Sequence, residues 1–127
     1  MKTFTEWLQI REFSQDGGRR IRQILDNLYH IHNYVANAQT PMDYSNIYNQ
    51  IRELMKLLPD HAGTLEYLLR AWENLSRSMA NYASARQNGN RWGHDPNELY
   101  AQCQRDYQSF EHLRKLFVQG LQRGSVR

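Results

Sequence analysis

The side chains in this sequence that could do chemistry are a histidine pair, spaced carboxylates and a single cysteine. His30 and His32 lie two residues apart, which points their rings to opposite sides of a continuous helix. Histidines that share one metal ion on a helix need a spacing of three or four residues. Cys103 falls on an apolar stripe, where a thiol is more often a small buried hydrophobe than a nucleophile. We therefore expect no metal site, no cofactor and no catalytic cysteine.

The carboxylates also favour a structural interpretation. Glu66 and Glu73 are a spaced acidic pair of the kind that holds magnesium in some small all-helical enzymes. Arg70 lies between them, which favours an exposed ladder of ion pairs instead. Glu111 and His112 are adjacent and so do not make the Glu-x-x-His pairs of di-iron bundles. Because the sequence also contains no nucleotide-binding loop pattern, we expect a protein that is not an enzyme.

Basic residues are candidates for binding the phosphates of nucleic acid. Arg19, Arg20 and Arg22 follow two glycines at an expected helix start, where backbone amides favour anions. The other candidates are Arg91, Arg114, Lys115 and Arg123. The net charge is only +3, from 16 basic and 13 acidic residues, so solvated surface charge is the alternative interpretation.

Aromatic and aliphatic residues near the N-terminus are candidates for protein docking. A short amphipathic helix is expected over residues 3–13, with Phe4, Trp7 and Leu8 on one side. Trp92, which lies between two glycines in a connection, is the fourth candidate. The alternative is that Phe4 and Trp7 cap the body of the protein.

The N-terminal segment carries one resemblance to a known class of sequences. Residues 1–8 resemble the short amphipathic peptides that target internal proteins of large tailed phages into their capsids. Ile10-Arg11-Glu12 is similar to the aliphatic-x-Glu sites at which such peptides are cleaved. The resemblance concerns the arm alone, and it implies docking of the arm on another protein.

Four longer helices must position these residues. Apolar side chains recur at intervals of three and four residues over residues 19–39, 41–58, 61–87 and 96–122. Pro59 ends the second helix, and Asp95-Pro96 starts the fourth with an N-cap followed by proline at the first helical position. The expected core positions are Ile21, Ile24, Leu25, Leu28, Ile31, Val35, Ala38, Tyr44, Ile47, Tyr48, Ile51, Leu54, Met55, Leu58, Leu65, Leu68, Leu69, Trp72, Leu75, Met79, Tyr82, Leu99, Cys103, Phe110, Leu113, Phe117 and Leu121.

The expected fold is all-α, an up-down antiparallel four-helix bundle with a short extra N-terminal amphipathic helix. We divide the chain into an arm with a Gly-Gly hinge, residues 1–18, and the bundle, residues 19–127. The alternative is a pair of helical hairpins completed by dimerisation, that is, a homo-oligomer. Apolar runs are far shorter than the ~20 residues of a membrane span, so we expect a cytoplasmic protein that does not bind membranes.

Two functions follow from these patterns. The first is a non-enzymatic interaction or assembly module, in which a helical scaffold docks a protein partner through the arm or an aromatic helix face. The second is a nucleic-acid-binding accessory subunit of a nucleoprotein complex, which contacts phosphates through the first and last bundle helices. In size, helicity and basic balance the chain is similar to the small helical subunits of CRISPR effector complexes and to the accessory bundles of diversity-generating retroelements.

Overall fold

Helices make up most of residues 15–38, 42–87 and 95–124, which are the residues that the computed structural model describes. The helices are α1 (Gln15–Tyr29), α2 (His32–Ala36), α3 (Ser45–Leu57), a 3₁₀ turn (Pro59–His61), α4 (Ala62–Gln87) and α5 (Pro96–Gly124). No strand occurs in these ranges, and the four longer helices pack against one another. The prediction of an all-α helical bundle is confirmed at this level. None of the described helices could span a membrane, because none combines the required length with enough apolar character.

α4 and α5 form the most extensive helix pair. Their register is defined by the contacts Trp72–Phe110, Ser78–Asp106 and Tyr82–Tyr100. Because residue numbers rise along α4 while they fall along α5, the two helices run antiparallel. The same register brings His61, in the turn before α4, to the Phe117 ring at 5.9 Å between centroids.

α1 pairs with α3 in the same antiparallel sense. Arg20 forms an ion pair with Glu53, and Asn27 Nδ2 donates a hydrogen bond of 2.8 Å to Gln50 Oε1. The start of α1 therefore lies beside the end of α3. Because the short 3₁₀ turn links α3 to α4, the start of α1, the end of α3, the start of α4 and the end of α5 gather at one end of the molecule.

The start of α5 was predicted correctly, whereas α3 starts later in the chain than predicted. At α5, Asp95 Oδ1 accepts a hydrogen bond of 2.9 Å from Asn97 N, as expected for an N-cap. α3 begins at Ser45, four residues later than predicted. Asp43 Oδ1 accepts hydrogen bonds from both Ser45 N and Ser45 Oγ, at 2.9 and 2.7 Å, and these bonds lower the pKa of Asp43. Asp43 thus organises the turn before the helix.

The predicted single helix over residues 19–39 differs most from the structure. α1 begins at Gln15, so Gly17 and Gly18 lie in its first turn and do not form a hinge within the described part of the chain. Each glycine costs the helix about 1 kcal/mol, which burial of the apolar stripe exceeds. The helix then stops at Tyr29, where the backbone tightens: the amide of Ile31 donates to the carbonyl of Leu28, three residues back, at 3.4 Å. Residues 1–14 of the predicted arm lie outside the described residues.

The core follows the predicted stripes. Every predicted position on the first stripe is buried, from Ile21 to Ala38 across the break between α1 and α2. Trp72 lies where four helices meet, with ring centroids 5.7 Å from Tyr34, 6.0 Å from Tyr44 and 5.9 Å from Phe110. Its indole Nε1–H donates a hydrogen bond of 3.2 Å to the carbonyl of Tyr44. Trp72 therefore fixes the connection before α3 to the middle of α4.

Candidate functional site

Several predicted site residues fall outside the described ranges. They are the docking candidates Phe4, Trp7, Leu8 and Trp92 and the phosphate candidate Arg91. Their proposed roles remain predictions. The described residues hold the other six candidates, all basic, and the structure separates them into different environments.

Arg20 is committed to a contact within the protein. Its guanidinium pairs with Glu53 of α3, and its Nη1 donates a hydrogen bond of 2.9 Å to Gln23 Oε1. This ion pair holds α1 against α3. Because the Glu53 carboxylate offsets the charge of Arg20, a phosphate would meet little net positive charge there. Arg19 and Arg22, on either side of Arg20 in sequence, are exposed.

Arg114 is buried, with only 8% of its surface exposed. Its Nε–H donates to Glu111 Oε2 at 2.8 Å and its Nη2 donates to the second carboxylate oxygen, so the pair is bidentate. The guanidinium carbon lies 5.2 Å from the centroid of the Tyr29 ring, which makes a cation–π contact between α5 and α1. We call the polar contact of Tyr29, Tyr107, Glu111 and Arg114 the α1–α5 seam.

These contacts shift the pKa values of the ionisable groups in the α1–α5 seam. The hydrogen bonds from Arg114 lower the pKa of Glu111, and the same bonds raise the pKa of Arg114. Burial raises the pKa of Tyr107, and the Glu111 carboxylate raises it further. Both members of the ion pair are therefore charged over a wide pH range, and the seam carries no net charge of its own.

Two further predicted basic residues flank the α1–α5 seam. Arg22 lies seven residues before Tyr29 and hence two turns away on the same face of α1. Lys115 follows Arg114 and is exposed, and its charge contributes to the lowered pKa of Glu111. The Tyr29 ring, which contacts Arg114, is 56% exposed. Arg22 and Lys115 thus lie on the two helices of the seam, whereas Arg123, nine residues after Arg114, lies on the opposite side of α5 from Arg114.

The histidine pair sits at the break between α1 and α2. His30 Nδ1–H donates a hydrogen bond of 2.8 Å to the carbonyl of Asp26. Because the helix is interrupted between them, the rings of His30 and His32 approach to 5.8 Å between centroids. The chain tightens from α-helical to 3₁₀ bonding at this point, so the spacing of a regular α-helix does not apply to the pair. Within the described ranges, no group of three or more His, Cys, Asp or Glu side chains could hold a metal ion.

A second surface lies on the outer side of the α4–α5 pair. Tyr67 is 64% exposed and Leu116 is 46% exposed. Tyr67 lies five residues before Trp72 and Leu116 six residues after Phe110, so the register of the pair places them at the same level. Helical spacing puts Tyr67 on the side of α4 that carries Ser78, which contacts α5. We call the surface of Tyr67 and Leu116 the outer α4–α5 face.

Charged groups of both signs border the outer α4–α5 face. Arg70 Nη2 and Glu66 Oε1 are 3.1 Å apart, which confirms the first rung of the predicted charge ladder. A shallow depression beside Tyr67 is lined by Gly63, Glu66 and Arg70. Sequence reasoning missed this face, although one signal was present: Tyr67 and Leu116 are large apolar residues that fall off the core stripes.

Cys103 is buried in the contact of α5 with the core. Burial raises the pKa of its thiol to about 11, with a smaller contribution from the charge of Asp106. Cys103 is therefore a neutral thiol at physiological pH. Its environment is that of a small core residue, in line with the interpretation of its place on the stripe.

Comparison of the chain with known protein families, with curated proteins and with solved structures finds no match.

Proposed function

We propose that this protein is a non-enzymatic interaction module, in which an up-down antiparallel bundle is the scaffold and the outer α4–α5 face docks a protein partner. The observation that supports it is the exposure of Tyr67 and Leu116 at one level of the most extensively packed helix pair. The N-terminal arm, with Phe4, Trp7 and Leu8, is the second docking element of this proposal, and Trp92 remains a further candidate.

The chemistry of the outer α4–α5 face indicates the kind of partner. A large aromatic and an aliphatic side chain on a rigid platform are typical anchors of protein interfaces. A face formed by two antiparallel helices suits the apolar side of an amphipathic helix from the partner. Glu66 and Arg70 at the border offer one charge of each sign, so the partner helix is expected to carry polar groups beside its apolar stripe.

The test is capture of proteins from the native source by the intact chain and by variants. Tyr67→Ala combined with Leu116→Ala should abolish capture of specific partners, because both anchors are lost. The matched control is Arg77→Ala, which changes an exposed residue of the same helix. Deletion of residues 1–14 measures the contribution of the arm separately. Equal capture by the double variant and the intact chain would contradict docking on this face, provided that circular dichroism shows both proteins folded.

Nucleic-acid binding is the second candidate, and the exposed Arg22, Tyr29 and Lys115 on the two helices of the α1–α5 seam favour it. Exposed basic groups beside an exposed aromatic ring suit a single strand, with phosphates on the cations and a base on the ring. A mobility shift with single-stranded RNA or DNA should weaken as salt rises. It should be lost in Arg22→Glu combined with Lys115→Glu and kept in Arg77→Glu. Arg20 is left unchanged in this design because its ion pair with Glu53 joins α1 to α3. An absence of binding at low salt would exclude this function.

A further inference from the structure

We propose that His30 and His32 form a two-histidine site for a divalent transition metal ion of the Zn²⁺ or Cu²⁺ class. The spacing of these residues excluded such a site only on a continuous helix. α1 ends at Tyr29 and α2 begins at His32, and bonds from Ile31 N to Leu28 O and from Asn33 N to His30 O make the connection a 3₁₀-type turn. With three residues per turn, side chains two residues apart lie closer in angle than on an α-helix. Both side chains are exposed, and an ion reaches them from solvent.

The distance between the rings fits a shared ion. A histidine nitrogen binds zinc at ~2.0–2.1 Å, which places the ion about 3 Å from the centroid of the ring. Two rings whose centroids are 5.8 Å apart can therefore both contact one ion that lies between them. This is a chelate formed by a single short segment of chain.

The tautomer of His30 is set for metal binding. Its Nδ1–H donates to the carbonyl of Asp26, which leaves the lone pair of Nε2 available as a ligand. Histidines that bind metals commonly donate their other ring N–H to a backbone carbonyl or a carboxylate in this way. The bond also fixes the direction of the ring, so less rotational freedom is lost when the ion binds.

The charges around the histidine pair tolerate a cation. The Asp26 carboxylate lies 3.8 Å from His30 Nδ1, and Glu111 interacts electrostatically with His32. Arg114 is the nearby cation of the seam, and its charge is balanced by its bidentate pair with Glu111. Lys115, which also interacts with Glu111, adds a second positive charge, so the two acidic and two basic groups around the histidines balance.

The site has two protein ligands among the described residues, so water or a group from another molecule completes the coordination. Imidazole ligands suit Zn²⁺, Cu²⁺ and Ni²⁺, and Cu²⁺ binds most tightly among the divalent metals of the first row. Cu²⁺ is therefore the most sensitive probe of the geometry, and Zn²⁺ is the biologically common ion of the same class.

The experiment uses the full chain without an affinity tag, titrated with CuCl₂ by calorimetry and followed by electron paramagnetic resonance. We expect one ion per chain and a spectrum that shows nitrogen ligands. His30→Ala and His32→Ala should each weaken binding by about tenfold or more, because the second ligand no longer acts at high effective concentration. His112→Ala is the matched control, since His112 is an exposed histidine on α5. It should leave the affinity unchanged.

Two results would overturn the proposal. In the first, each single variant binds fewer ions with unchanged affinity. That result would indicate that each histidine binds its own ion independently. The other is an equal effect of His112→Ala. Thermal unfolding provides a second readout, because an ion that binds only the folded chain raises the midpoint. That rise should occur with ZnCl₂ in the intact chain and be absent in His30→Ala combined with His32→Ala.

Discussion

The two ends of the molecule are built differently, and Trp72 marks the boundary. In the four-helix end, α1, α3, residues 62–72 of α4 and residues 110–124 of α5 surround one core. α3 starts at the level of Trp72, since Tyr44 contacts that ring. Beyond it, residues 73–87 of α4 and 95–109 of α5 continue as a pair, which we call the hairpin end. Tyr44, just before α3, interacts electrostatically with Cys103 in this part of α5.

The side chains match this difference. Among the described residues, the fully buried aromatic side chains are Trp72, Phe110 and Phe117, all in the four-helix end. The hairpin end is held by the half-buried pair of Tyr82 and Tyr100 and by a hydrogen bond between Ser78 and Asp106. Its buried residues are Leu75, Met79, Ala83, Ala85 and Cys103, none of them aromatic. Because burial of large apolar side chains supplies most of the stability, the four-helix end should be the rigid part. The outer α4–α5 face, the α1–α5 seam and the histidine pair lie on it or at its boundary.

The largest expected effect separates the two ends directly. Trp72→Ala should destabilise the protein by about 4 kcal/mol, because it leaves a large cavity where four helices meet. Tyr82→Ala should cost about 1–2 kcal/mol, because the ring is half-buried and has one aromatic neighbour. Urea denaturation of both variants measures the difference. Equal losses would show that the hairpin end contributes as much as the four-helix end.

The second effect concerns ion pairs in different environments. Glu111→Gln should cost about 2–3 kcal/mol, because it leaves the buried Arg114 without its carboxylate. Glu66→Gln is the matched control, since it breaks an exposed pair with Arg70 on α4 and should cost less than about 0.5 kcal/mol. The urea midpoints of the two variants measure the difference between the buried and the exposed ion pair. A loss for Glu111→Gln no larger than that of the control would mean that water reaches Arg114.

The same ion pair gives stability a dependence on pH. The pKa of Glu111 is lowered in the folded protein, so the unfolded state takes up the proton first as pH falls. The contribution of Glu111 is therefore complete above its unfolded pKa of about 4.3 and declines below it. The difference in unfolding free energy between the intact chain and Glu111→Gln should shrink between pH 7 and pH 3. A constant difference across this range would contradict the assignment.

The smallest effect tests opening of the hairpin end. Ser78→Ala removes the hydrogen bond to Asp106 and should cost about 1 kcal/mol, which corresponds to about fivefold more opening. The buried Cys103 thiol reports this opening, because a thiol reagent reaches it only when α5 separates from its neighbours. Labelling should accelerate by about that factor. Ser76→Ala is the control, since the Ser76 hydroxyl donates to the carbonyl of Glu73 within α4. Equal acceleration in the control would argue against opening at this bond.

Local signals explain which helices were predictable. α4 and α5 match their predicted bounds within two residues, because Pro59 and the Asp95 cap are local stop and start signals. The break after Tyr29 carries neither glycine nor proline, so the local sequence contains no signal that predicts it. The apolar stripe continues through the break as far as Ala38, which shows that tertiary packing decides the path of the chain there.

The candidate surfaces were harder to predict, because they depend on which helices become neighbours. Arg114 was predicted to contact phosphate, yet it lies four residues after Phe110 and three before Phe117, a spacing that places it on the buried stripe. Its partner Glu111 lies three residues earlier. That signal was available in the sequence. The approach of Tyr29 from α1 was not, since it requires the arrangement of α1 against α5.

The position of α5 has a consequence for biosynthesis. The helix supplies Phe110, Phe117 and Leu121 to a core whose other walls come from α1, α3 and α4. A nascent chain that has emerged only as far as α4 therefore carries three long helices and the short α2, whose apolar side chains lack the contacts that α5 supplies. We expect such a chain to expose these stripes at the ribosome and to recruit a chaperone until α5 emerges.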